Sequence, residues 1–190
     1  MELLKNQKDF FTTLEKAFYE IDADWKNYKG VIIPGSHTPD KIERKLEIIK
    51  EARENGIPTL GICFGLQLMA VEFARNVLKI KDATSEEFGK GTFVVSKLLQ
   101  LRVGIKKVRN FEGKEKYESH WHNYAINNDF VKQFQEKGFL VSLWGEDNIV
   151  EGMEIKEHPY YFGVQFHPEY QSTLENPHQT LKSFLLVCKK

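Results

Sequence analysis

Cysteine is scarce in this chain of 190 residues, occurring only at Cys63 and Cys188. Two thiols so far apart in sequence are a poor case for a disulfide, and their scarcity suits a reducing compartment. Stability must come from a core, and 41% hydrophobic residues over this length provide for one domain spanning 1–190, not two. An excess of one charge is also missing. Lysine plus arginine equals aspartate plus glutamate at 27 each, with no long basic run, so neither nucleic acid nor a membrane surface is an expected partner. No apolar run approaches the roughly 20 residues of a membrane span, and Met1 to Phe18 lacks the regions of a signal peptide. A cytoplasmic location is therefore expected. The Gly-x-x-x-x-Gly-Lys-Ser/Thr and Gly-x-Gly-x-x-Gly patterns are absent too, which leaves nucleotide binding by those routes unsupported. A small molecule or another protein remains as the ligand.

What is present begins with alternation. Leu4, Phe11, Leu14 and Phe18 share one face and predict a helix over Lys5 to Tyr19. Gly30 to Ile33 reads as a strand ending in the turn Pro34-Gly35-Ser36. Asp40 is expected to cap a helix running to Asn55, with Ile42, Leu46, Ile49 and Arg53 along one side. Ile57 to Ile62 is the next strand, and Leu66, Met69, Ala70, Phe73 and Ala74 follow at helical spacing. Such alternation predicts an α/β fold: a flavodoxin-like, open, mostly parallel sheet with helices on both faces. After Gly89 the character changes. Thr92 to Val95, Leu98 to Ile105, Tyr117 to Ile126, Phe139 to Leu143 and Ile149 to Ile155 are β-favouring and predict an antiparallel extension. Gln179 to Val187 closes the chain as a helix.

Two short motifs carry chemistry. In Leu60-Gly61-Ile62-Cys63-Phe64-Gly65-Leu66-Gln67 the cysteine stands at a strand-to-helix corner between two glycines, the setting of a nucleophile elbow. The helix start aims free N–H groups at the sulfur and favours thiolate. A small core cysteine is the bland alternative. In Tyr161-Phe162-Gly163-Val164-Gln165-Phe166-His167-Pro168-Glu169 an apolar strand ends in His-Pro-Glu. Residues two apart in extended chain face one side, so Glu169 can orient the His167 ring toward a thiol. A strand-end histidine and a solvated acid are the bland counterparts. His120-Trp121-His122 could join His167 at a metal, but no cysteine or paired carboxylate completes a shell, so neither metal nor cofactor is expected.

Together these motifs resemble the triad glutamine amidotransferases of class I and, within them, the glutaminase domains of CTP synthases. The matching text is Val31-Ile32-Ile33-Pro34-Gly35, Ala52 to Pro58 running into the elbow, Glu72 to Asn76, Ala83 to Phe88, and Val164 to Tyr170. The resemblance implies that Cys63, His167 and Glu169 hydrolyse a γ-carboxamide through a thioester. Oxyanion donors would be the backbone N–H of Phe64 and the turn at Gly35 and Ser36. Gln67, Glu87, Asn123 and Tyr124 become the substrate-binding residues. Three departures stand out. Ser36-His37-Thr38-Pro39 replaces a glycine-rich turn, which would cost about 1 to 3 kcal/mol should Ser36 need positive φ. Asn123 occupies the place of an arginine that pairs with the glutamine α-carboxylate, so a γ-glutamyl compound other than glutamine becomes a candidate substrate. The start is short. With no synthetase in the chain, a separate ammonia-accepting synthetase is the expected partner where ammonia is the useful product. Alternatives are an altered, non-catalytic module that regulates such a synthetase, and a cysteine-elbow redox sensor.

Overall fold

The computed structural model describes residues 29–36 and 39–189, so the helix expected over Lys5 to Tyr19 lies outside the described residues, as do His37 and Thr38. Eight strands form one sheet: β1 Val31–Ile33, β2 Thr59–Ile62, β3 Ala83–Ser85, β4 Thr92–Asn110, β5 Glu115–Ile126, β6 Leu140–Gly145, β7 Val150–Glu154 and β8 Tyr161–Val164. Among the described residues four α-helices accompany them: α1 Ile42–Glu54, α2 Phe64–Asn76, α3 Val131–Glu136 and α4 Gln179–Cys188. The sheet order is β1-β2-β8-β7-β6-β4-β3, with β5 paired to β4.

Parallel pairing joins β1 to β2, β2 to β8 and β3 to β4. The antiparallel extension takes the rest: β4 with β5 and β6, β6 with β7, and β7 with β8. The α/β architecture is thus as expected, with helices on both faces. Alternate residues of β2 show why. Leu60 and Ile62 pack with Leu181 and Phe184 of α4 on one side, whereas Gly61 abuts Met69 of α2 on the other. α2 is buried along its length from Phe64 to Ala74, which is what a nearly continuous apolar helix demands. α1 covers it, and the Arg53 guanidinium forks onto the Glu72 carboxylate at 2.9 and 2.8 Å to bolt the two helices together.

Several elements differ from the sequence reading. Asp40 does not cap α1: Lys41 takes the cap position in a left-handed conformation at φ 45°, and Asp40 instead receives Lys45 Nζ at 2.8 Å. The two β-favouring runs after Gly89 are one strand, β4, whose register with β5 shifts between Lys97 and Arg102. β3 and α3 were not anticipated. Both are short, and the Ala-Thr-Ser of β3 offers no alternation to read. Among the described residues, no helix is long and apolar enough to cross a membrane.

Candidate functional site

Three adjacent parallel strands end at one edge, and each delivers one segment named from the sequence. β1 runs into Gly35 and Ser36, β2 into Cys63, and β8 into His167. Register keeps them level, since Ile33 faces Gly61, Ile62 faces Val164, and the Cys63 N–H donates to the Val164 carbonyl at 2.7 Å. Neighbouring strands lie about 4.8 Å apart, so chain positions a hundred residues distant become side-chain neighbours. A Cβ added to Gly35 would stand 2.8 Å from His167 Cε1 and 3.6 Å from Cys63 Cβ. Glycine is what lets the first strand end close over the pair.

Cys63 has φ 52° and ψ −105°, outside the regions that ordinary residues prefer, and lies one residue before α2. Such a backbone costs on the order of 1–3 kcal/mol and holds the side chain at the corner. The turn is tight enough that a Cβ on Gly65 would overlap the Ile33 carbonyl. Phe64 is the first residue of α2, so its N–H belongs to the amides a helix leaves without an internal partner. Ser36 is half-buried and does not share the positive φ of Lys41, Cys63, Lys79, Asp147 and Asn148. The strain expected at Ser36 therefore does not arise.

His167 is buried and its Nδ1 is 2.6 Å from Glu169 Oε1. Since the carboxylate takes Nδ1, Nε2 is the ring nitrogen left for Cys63. It lies outside strict hydrogen-bond geometry but within reach of the sulfur's charge. Burial alone would strip the ring of its proton; Cys63 and Glu169 outweigh it and push the His167 pKa up to about 10. Tyr170 stacks flat on the imidazole, with ring centroids 4.7 Å apart and planes inclined by 7°.

Behind the sulfur runs a chain of amides, of which the sequence reading named Gln67, as a substrate-binding residue, and missed Gln165. Gln165, fully buried, donates from Nε2 to Cys63 Sγ at 3.5 Å. Gln67 Nε2 donates to Gln165 Oε1 at 3.3 Å and to the Tyr124 carbonyl at 3.0 Å, which leaves Gln67 Oε1 buried without a hydrogen bond. Gln165 sits inside an apolar run, and only that burial marks it. Glu87 is half-buried on the turn beyond β3, where burial raises its carboxyl pKa. The adjacent Phe88 packs edge-on against Phe64 at 5.9 Å, so this turn rests on the elbow. Asn123 is exposed on β5, two residues from the Trp121 carbonyl that receives Cys63 Sγ at 3.8 Å. Cys188 is remote: its sulfur faces Gly30, both cysteines are free thiols, and burial pushes the Cys188 thiol up to about 11.

His120 and His122 do not join His167 on a common ligand. They form a separate buried cluster with Glu151 of β7 and Arg102 of β4, whose Nη2 is 2.6 Å from Glu151 Oε1. Burial, then the neighbouring ring and Arg102, depress the His120 pKa to about 3; burial and Arg102 take His122 to about 4. Burial pushes Glu151 the other way, up to about 8.

Comparison with known proteins matches this chain to one family. A family model described as glutamine amidotransferase class-I covers residues 2–187. Curated relatives named CTP synthase include those of Ruminiclostridium cellulolyticum, 37% identical over 187 residues, and Coprothermobacter proteolyticus, 38% identical over 188 residues. Each alignment covers 87% of this chain but 35% of the relative, so the chain spans about a third of the length of the proteins it matches. Among solved structures, the glutaminase domain of Trypanosoma brucei CTPS with bound acivicin superposes with a TM-score of 0.81 at 26% identity. That match covers 85% of this chain and 71% of the other.

Proposed function

The chain belongs to the class I glutamine amidotransferases, and from that premise we propose that residues 1–190 form one glutaminase-type unit, an amide hydrolase whose nucleophile is Cys63. The sulfur attacks the γ-carbonyl carbon of glutamine or of a γ-glutamyl compound. As the tetrahedral intermediate collapses, the C–N bond breaks and the leaving nitrogen takes the proton from His167 Nε2. Water then adds to the thioester, returns a proton to His167, and frees the acid with the sulfur restored. Glu169 holds the ring in the tautomer this needs. The Phe64 N–H and the Gly35–Ser36 turn receive the oxyanion. Gln67, whose Oε1 is left without a hydrogen bond, Tyr124 and Asn123 are the substrate's contacts in this reading, and the half-buried Glu87 carboxylate suits an α-ammonium group.

One observation carries this reading: a thiol at a strained strand-to-helix corner faces an imidazole that keeps its proton because a carboxylate backs it. The test is a panel of glutamine, γ-glutamyl amides and γ-glutamyl phosphoramidates, run with the native protein and with Cys63→Ala. A trapped acyl-enzyme on Cys63 is expected in the native protein alone. Native-rate turnover by Cys63→Ala would falsify the assignment.

Asn123 favours a second reading of the substrate. An exposed neutral amide replaces the guanidinium that the resemblance led us to expect, so the preferred amide is a γ-glutamyl conjugate rather than free glutamine. Where ammonia is the useful product, an ammonia-accepting synthetase unit is the partner. Without such a partner, the released amine or amidate is the product. The module without catalysis predicts that glutamine analogues fail to protect Cys63 from alkylation.

A further inference from the structure

The cluster beside the proposed nucleophile contains more acceptors than protons. His122 Nδ1 is 2.8 Å from the Tyr124 carbonyl, which can only accept, so that nitrogen carries the ring proton and Nε2 offers a lone pair. His120 Nδ1 is 3.2 Å from this lone pair and 3.5 Å from Glu151 Oε2. Whether His120 Nδ1 carries a proton, or Glu151 does as its raised pKa favours, at least one of the three atoms is left without a partner, and Glu151 Oε2 is indeed buried with no hydrogen bond. Burial of an unpaired carboxylate oxygen is costly.

We propose that His120, His122 and Glu151 form a site for a zinc-type divalent cation that pins β5 to β7 behind the nucleophile. The spacing suits that ion. With bonds of about 2.0–2.1 Å, tetrahedral ligands stand about 3.3–3.4 Å apart, whereas octahedral neighbours would be nearer about 3.0 Å. The measured separations of 3.2 and 3.5 Å bracket the tetrahedral edge, and the ligand atoms of all three residues lie within 4.8 Å of one another. Two imidazoles and a carboxylate are the donor set that zinc accepts, with a fourth position for water. Two of the three ligands have the partners such ligands need, while His120 Nε2 is buried without one. The Tyr124 carbonyl orients His122, and Arg102 holds Glu151 Oε1 so that Oε2 turns to the histidines. Arg102 also repels a cation, so binding is weaker here than at a thiolate-rich zinc centre.

The consequence reaches the reacting sulfur, because β5 also carries the Trp121 carbonyl that faces Cys63. A metal between β5 and β7 fixes that wall. The test uses the full chain, stripped by a chelator and titrated with Co2+ as the spectroscopic probe, then with Zn2+. One ion per chain, the visible absorption of a tetrahedral nitrogen–oxygen site, and a raised Tm are expected. Cys63→Ser, which removes the neighbouring thiol, should bind as the native chain does. His122→Gln and Glu151→Gln should each lose the absorption and at least about tenfold in affinity. Absence of stoichiometric uptake by the stripped native chain overturns the site without reliance on any variant. So does loss of the absorption in Cys63→Ser, which would put the ion on the thiol, and so does native affinity in both ligand variants.

Discussion

His167 and the His120–His122 pair belong to one sheet and feel one another's charge, yet their protons are driven in opposite directions. All three rings are buried. What separates them is company: His167 faces a carboxylate and a thiol, whereas the pair faces its own second ring, Arg102, and a Glu151 carboxyl that burial pushes up to about 8 and Arg102 already engages. Burial by itself takes the proton from an imidazole, and only oppositely charged neighbours give it back. A buried ring that keeps its proton must be supplied with those neighbours by the chain, and Glu169, on the 3-10 turn two residues after His167, is one of them.

The contrast breaks most completely with Cys63→Ala. Acyl-enzyme formation and turnover should fall by about ten-thousandfold or more, with the fold retained by circular dichroism. Replacing His167 by Gln removes the proton carrier itself, and turnover should drop about a hundred- to ten-thousandfold in steady-state assays.

Glu169→Gln should convert His167 toward the behaviour of the buried pair, lowering its pKa from about 10 and slowing turnover by about a hundredfold. The folded ring holds its proton to about pH 10 and an unfolded one to 6.5. The stabilisation is therefore complete below pH 6.5 and fades as pH rises through 10. Urea unfolding should show the gap between native and Glu169→Gln proteins at neutral pH and its closure above pH 10. Its size should be about 1.4 kcal/mol for each unit by which the variant's pKa falls. A gap that widened with rising pH would contradict this origin.

Gln165→Leu keeps volume but removes the amide facing the sulfur. The rate of Cys63 alkylation at neutral pH should fall about tenfold, with Tm changed by only a few degrees. An unchanged rate would reduce Gln165 to a packing residue. The smallest effect is expected on the other side of the comparison: without metal, His122→Gln should cost about 1 kcal/mol of unfolding free energy and leave turnover within about twofold.

The part of this site that depends on neighbours in sequence was readable from the residues. Glycines flank Cys63 and an apolar run leads into it, so the corner showed itself; Glu169 does meet His167 two residues on, but from the 3-10 turn Pro168–Gln171 and not from the extended chain that the sequence led us to expect. The parallel β1-β2-β8 core was readable for the same reason, since strand and helix patterns alternate cleanly there. What depends on the curl of the antiparallel strands was not. Glu151 meets His120 only because the β4–β5 hairpin folds over β7, and nothing in the local pattern of β7 announces it. Gln165 was hidden as one polar residue in an apolar strand end, and Asp40 misled because Lys41 adopts a conformation usually left to glycine.

Cys63 gives one more lesson. Its backbone occupies a region where glycine would rest at ease, so a Cys63→Gly chain should unfold at equal or higher temperature while doing nothing useful. The packing of Cys63 in the apolar cluster of Leu60, Ile62 and Val164 offsets only part of that strain. A higher Tm with no acyl-enzyme in that variant would set the cost in stability of placing a thiol there.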